Sequence, residues 1–271
     1  MTRTARRIAL APAYILHHRP YRDTSRILEV LTREHGRLSL FARAVRGPKA
    51  KLASVLQPFQ LLLLSWSGRG EAGQLTAAES AEHAAPLPAA CLMAAFYLNE
   101  LLIKLTTRHD PLPALFDDYH AALDRLRRGT PLEQALRIFE KRLLDALGYG
   151  LDLGAEAHTG KVIEAGGYYH FRPAQGLFPT VAGAAGALSG RSLMSLAGER
   201  LADARELDDS RRLLQAALAQ CLEGRELRTR AVARSVQDLR PGSGRVRATS
   251  PDRAAGPAPR AAKDNPSESP E

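Results

Sequence analysis

Cysteine is nearly absent from the 271-residue chain: Cys91 and Cys221 are the only two, far apart and in no CxxC pair. A disulfide framework and a cysteine-rich metal site are both excluded. Long apolar runs are missing too. The longest, residues 91–105, is too short to cross a bilayer and contains Asn99, Glu100 and Lys104, so it reads as a buried helix of a soluble protein. Arg3, Arg6 and Arg7 precede an apolar stretch that Pro12 interrupts and that ends at His17, His18 and Arg19, which fits neither a signal peptide nor a span. These absences lead us to expect a cytoplasmic protein with no membrane partner.

Catalytic motifs are equally scarce. The eight histidines are scattered with no HExxH, and there is no GxSxG element. Gly68 to Gly73 matches GxGxxG, but a strand pattern follows it and Pro86 arrives before a crossover helix could form, so it reads as a hairpin turn. The stretch from Gly154 to Lys161 has the wrong glycine spacing for a phosphate loop, and Val162 stands where a magnesium-binding hydroxyl is needed. Asp117-Asp118 and Asp208-Asp209 are explained by solvation and helix capping. No catalytic constellation emerges, so no enzyme and no cofactor are expected.

What is present is positive charge, concentrated in one place. Residues 1–80 hold 13 Lys or Arg against 5 Asp or Glu, a net of +8 out of the chain's +9. A basic segment on a neutral body is the footprint of a polyanion binder, because neutralised phosphates release counterions. Solubility charge accounts for the excess equally well on this count alone.

Residues 8–80 read as five short strands, at 8–18, 24–32, 37–44, 58–66 and 70–80, punctuated by Pro20, Gly36, Gly47-Pro48 and Gly68. Five strands in so short a span predict a small closed barrel of the OB type. In the third strand Leu38, Leu40 and Ala42 alternate with Arg37, Ser39, Phe41 and Arg43, setting cations and a ring on one face. Such a face can track a phosphate backbone and stack a base, or be an ordinary solvated strand face. Arg22 joins the candidate DNA contacts. Arg43, Arg46, Lys49 and Lys51 follow with no acid among them, around Gly47-Pro48, and their adjacency to that face favours phosphate binding over a solvated charge run.

After Pro86 and Pro88 the pattern turns helical. Residues 89–106 read as a central helix buried nearly all round. Asp110-Pro111 reads as the start of a second helix, and Thr130, Pro131 and Glu133 as the capped start of a third running to Leu147 before Gly148. Residues 150–188 are glycine-rich without helical period and read as a loop-and-hairpin insertion. Helical signals return at 191–197, 209–222 and 225–239, and the Pro-, Gly- and Ser-rich residues 241–271 read as a disordered tail. The expected organisation is therefore α+β, with an N-terminal barrel over 1–82 and a helical domain over 83–240.

Several separated motifs tighten this reading. They are YILHHRPYRDTSRILEVLTREHGR from Tyr14, VLQPF at 55–59, SWSGRGE at 65–71, FYLNELL at 96–102, ALRIFEKRLLDALGYG at 135–150 and GREL at 224–227. In this order and spacing the chain resembles the RecO family of bacterial recombination mediators. The resemblance implies binding of single- and double-stranded DNA, annealing of complementary strands, and loading of RecA together with RecR, at the nucleoid. It also implies docking of the acidic tail of the single-stranded-DNA-binding protein at a basic-edged apolar pocket of the helical domain. The motif position there is Arg137, with Lys141 and Arg142 beside it on the same helix; a second arginine of the family is replaced by Ile138. Some members carry a four-cysteine zinc site in the insertion. This chain has no cysteine between Leu151 and Pro179, and Glu156 and Thr159 stand in the ligand stretches, so a zinc-free insertion is expected. An RNA-binding OB protein and an unrecognised DNA-processing enzyme are the alternatives.

Overall fold

The computed structural model describes residues 6–43, 45, 52–68, 72–82 and 84–229. Five strands, β1 (Arg6–Tyr21), β2 (Ser25–Thr32), β3 (Gly36–Ala42), β4 (Leu62–Gly68) and β5 (Ala72–Ser80), close into a barrel in the order β1-β2-β3-β5-β4. All neighbours are antiparallel except β3 and β5. The alternation seen in the sequence sorts the faces. Leu38, Leu40 and Ala42 point into the barrel, where they meet Ala13, Ile15, Leu28, Val30 and Leu64. Antiparallel pairing of Ser67 with Gln74 across the glycines confirms the hairpin between β4 and β5.

Five α-helices follow among the described residues: α1 (Leu92–Leu105), α2 (Pro113–Arg127), α3 (Leu132–Ala146), α4 (Gly190–Ala197) and α5 (Ala204–Leu222). Between α3 and α4 a small sheet, β6 (Tyr168–Arg172), β7 (Gly176–Thr180) and β8 (Leu188–Ser189), forms the insertion. Leu153, Ile163, Tyr169 and Leu177 of that insertion share one core with the helices, so it is part of their domain. The segment from Gly154 is a turn, in which Glu156 N–H donates to the Lys161 carbonyl and Gly160 N–H to that of Glu156.

The helical core also takes in the outside of the barrel. A bulge between Ile15 and His17 turns Leu16 out of the strand alternation, and Leu16 packs with Tyr14, Leu31 and Phe59 against the helices. Tyr14 sits between Phe116 and Tyr119, with ring centroids 5.5 Å and 5.0 Å away, and its hydroxyl meets His120 Nδ1 at 2.6 Å. Asn99 donates to the Leu16 carbonyl at 2.8 Å. Each such buried side chain contributes about 1.5–3 kcal/mol. The Arg33–Asp117 ion pair at the same junction is exposed and screened by solvent, so apolar packing dominates it. Gly36 has φ +65°, and an added Cβ there would overlap the Asp110 carbonyl, so the two parts meet at backbone contact.

Several helix boundaries differ from the sequence reading. The second helix starts at Pro113, because His109 N–H donates to the Arg37 carbonyl at 2.9 Å and ties the Asp110-Pro111 segment to the barrel as a linker. The third is capped at Pro131 with no side-chain cap, so Thr130 and Glu133 form no capping box. The capping box belongs instead to α5, where Asp203 and Glu206 cap each other's backbone and the helix begins five residues earlier than expected. Helix α1 is not buried all round: Leu92, Met93 and Phe96 are exposed. Arg225 to Leu227 are not helical, and the rest of the expected last helix, like the tail, lies outside the described residues.

Candidate nucleic-acid interface

Strand pairing assembles one end of the barrel. Ile27 of β2 lies opposite Arg19 of β1 and Phe41 of β3, and Tyr21 closes β1 opposite Ser25. The rings of Tyr21 and Phe41 come together with centroids 5.5 Å apart, and the Arg22 guanidinium stands 5.3 Å from the Tyr21 centroid. Arg22 reaches this position from the three-residue turn between β1 and β2, where it has φ +51°. Arg43, one residue past β3, is exposed beside them. Arg22, Phe41 and Arg43 are therefore brought together. Arg46, Lys49 and Lys51, which follow on from this end, lie outside the described residues.

Arg37 does not join them, which corrects its assignment to the open face. It is buried and ion-paired to Glu29, and it donates to Thr106 Oγ1 at 3.0 Å and to the Thr106 carbonyl at 2.7 Å. Its strand position faces outward as expected, but the helical domain covers that part of the face. Burial alone would raise the Glu29 pKa; hydrogen bonds from Arg108 and Ser39 and the charge of Arg37 instead hold it below its ordinary value. Arg37 is a domain tie.

A second site lies on the helices. Leu132, Leu136 and Arg137 of α3 with Ala90, Met93 and Tyr97 line a cavity of about 280 Å³. Arg137 is buried, and its Nη2 lies 3.1 Å from Glu140 Oε1, which also accepts the Tyr97 hydroxyl at 2.6 Å. Nε and Nη1 of Arg137 are buried without a hydrogen-bond partner among the described residues. Leaving buried donors unsatisfied costs about 1–3 kcal/mol, and because Nε and Nη1 lie on opposite edges of the guanidinium, an entering carboxylate would take one of them in a single charged hydrogen bond. Lys141 and Arg142 do not line this cavity and are corrected from the pocket edge. Arg142, five residues on from Arg137, is turned to another face of the helix and grips Glu199 at 2.6 Å and Asp118 at 2.6 Å, whereas Lys141 shares the face of Arg137 one turn further along and is held by Asp145 at 3.3 Å and Glu199 at 3.6 Å. The hydrogen bond from Arg142 holds the Glu199 carboxyl below its ordinary range.

Sequence reasoning missed Tyr21, Tyr97 and Met93. The Tyr21-Arg22 dipeptide at a hairpin turn was a signal for the first; the other two look like ordinary core residues of an apolar helix. Among the described residues no group of three or more His, Cys, Asp or Glu is placed to hold a metal ion. No helix among them is long and apolar enough to cross a membrane.

A basic, ring-bearing barrel end and a basic apolar pocket on one chain fit the family the motifs suggested, and comparison with known proteins decides the matter. Residues 7–84 match the family model for recombination protein O, N terminal, and residues 90–231 that for recombination protein O, C terminal. The chain belongs to the RecO family. The DNA repair protein RecO of Methylococcus capsulatus is 43% identical over 230 residues, covering 84% of this chain and 94% of that protein. That of Nitrosococcus oceani is 43% identical over 237 residues, 86% of this chain and 96% of the relative. That of Burkholderia lata is 40% identical over 236 residues, 86% of this chain and 84% of the relative. The RecO N-terminal model thus covers the barrel with its basic end, and the C-terminal model covers the helices with the Arg137 pocket.

Proposed function

We propose that this RecO-family protein is a recombination mediator without covalent chemistry. It binds single- and double-stranded DNA, anneals complementary strands, and with RecR helps load RecA onto DNA coated by the single-stranded-DNA-binding protein. The observation that carries the reading is the Tyr21–Phe41 ring pair flanked by Arg22 and Arg43 at one end of the barrel. Rings stack bases of any sequence while cations follow the phosphates, which suits a protein that handles strands without reading them. The Arg137 pocket supports the second half of the reading, since a carboxylate on an apolar tail peptide would meet one of its two unpaired donors.

Annealing assays on bare and protein-coated strands test both halves. Replacing Tyr21 and Phe41 by alanine is expected to slow annealing of both substrates, and Arg137→Ala to slow only the coated one. Unchanged rates in the ring variant would refute the barrel site, and shortened strands in the presence of magnesium would reveal a nuclease instead.

A further inference from the structure

Met93 and Thr229 each line two cavities. On one side is the Arg137 pocket, and on the other a groove of about 690 Å³ that runs between α1 and the outer face of the barrel. The groove floor is apolar, built from Leu16, Ile27, Met93, Phe96 and Ile103. Met93 and Phe96 are 42% and 43% exposed, two large apolar side chains left open on one helix face.

The charges around that floor are not balanced. Among the described residues Glu29 and Glu100 are its only carboxylates, against Arg19, Arg37, Lys104, Arg108 and Arg228. Both acids are already engaged: Glu29 by Arg37 and Arg108, and Glu100 by the N–H groups of Arg228 and Thr229. The side chains of Arg19 and Arg228 have no ion-pair partner among the described residues. What the groove has left to offer is apolar surface and positive charge. Its barrel end reaches Ile27 and Arg19, beside the Tyr21–Phe41 pair.

We propose that the Arg137 pocket and this groove form one continuous track for a single acidic peptide in extended conformation. Its terminal apolar residue occupies the pocket, its upstream carboxylates meet Arg228 and Arg19, and its far end excludes single-stranded DNA from the ring pair. The proposal rests on the peptide reading of the Arg137 pocket. Met93 and Ile103 are separated by about 15 Å along α1 at 1.5 Å per residue, a span that roughly five extended residues cover. The chain's own continuation is a poor occupant, because residues 230–240 carry Arg230, Arg234 and Arg240 against Asp238 alone. Nucleic acid is a poor one as well, since among the described residues Phe96 and His17 alone bring rings to the groove and two carboxylates stand in its walls.

Two fluorescent peptides ending in phenylalanine test the track: one of about four residues, otherwise aspartate, and one of about ten, extended by alternating aspartate and leucine. On the full chain the longer peptide should bind roughly three- to tenfold tighter, the scale of a few exposed charge pairs. Arg19→Glu with Arg228→Glu should erase that advantage and leave the short peptide unaffected, whereas Arg137→Ala should weaken both. The long peptide, and not the short one, should displace labelled oligothymidine. Equal affinities for the two peptides, or an advantage that survives charge reversal, would overturn the track and leave the pocket standing. Failure of both peptides to bind the parent protein would overturn the pocket reading and the track with it. If charge reversal weakens oligothymidine binding while the long peptide keeps its advantage, the groove belongs to nucleic acid. If peptides bind only after residues 230–271 are removed, it belongs to the chain's own end.

Discussion

Replacing Tyr21 and Phe41 together by alanine removes both rings from the end of the barrel while leaving its interior untouched, since neither belongs to the barrel's buried cluster. Base stacking on a protein ring contributes about 1–3 kcal/mol per base. The two rings tilt at 58° with centroids 5.5 Å apart, so each offers its outer face to a different base. The expected loss is about 2–6 kcal/mol, or roughly 30- to 25,000-fold in Kd. Cations act differently: each phosphate contact on a single strand contributes about 0.7 to the slope of log K against log salt. Arg22→Ala with Arg43→Ala should therefore flatten the slope by about 1.4. The ring variant should weaken binding at every salt concentration with the slope kept. Anisotropy of labelled oligothymidine over a sodium chloride series separates the two effects. A ring variant that binds as tightly as the parent, or that changes the slope and not the level, would refute the stacking argument.

Replacing Arg43, Arg46, Lys49 and Lys51 together by alanine should weaken single-strand binding uniformly across sequences, again with a flatter salt slope of about 0.7 per lost contact; equal slopes by the same titration would move the phosphate site elsewhere. Arg137→Ala should cost roughly 1–3 kcal/mol of affinity for an acidic tail peptide and leave binding to bare DNA alone, as read by paired fluorescence titrations. Glu29→Gln strands the buried Arg37 guanidinium and should destabilise by about 3 kcal/mol, lowering Tm by roughly 6–12 °C. The Glu29 carboxyl is depressed below its ordinary 4.5, so its stabilisation is complete above that pH and lost as pH falls through the lower folded value. Melting curves of parent and variant should therefore converge as pH drops from 6 to 3, and a constant gap would refute the linkage. Purified protein should contain no stoichiometric zinc and keep its Tm in chelator, whereas one zinc per chain by elemental analysis would overturn the zinc-free insertion.

By itself the sequence determined the elements with strong local period. Short apolar segments with glycine and proline between them are a signal each strand carries alone, and all five strands form, although the fourth runs over Leu62–Gly68 rather than 58–66 because residues 58–60 turn. The basic excess of residues 1–80 marked the barrel as the electrostatic end of the molecule, and Phe41 was legible as an outward ring on a strand whose other face is apolar. The motif around Arg137 marked the pocket residue.

What only the tertiary structure decided are the fates of side chains that periodicity treats as equivalent. Arg37 and Arg43 share a strand face, yet the helical domain covers one and leaves the other in water. Arg137, Lys141 and Arg142 share a helix, yet only Arg137 lines the cavity, because Glu199 and Asp118 arrive from elsewhere to claim its neighbours. The Asp110-Pro111 pair carries a good helix-start signal and is spent on the contact with Gly36 and Arg37 instead. Local pattern reports which way a side chain points from its own backbone; what meets it there is set by long-range packing between barrel and helices, which no window of the sequence contains.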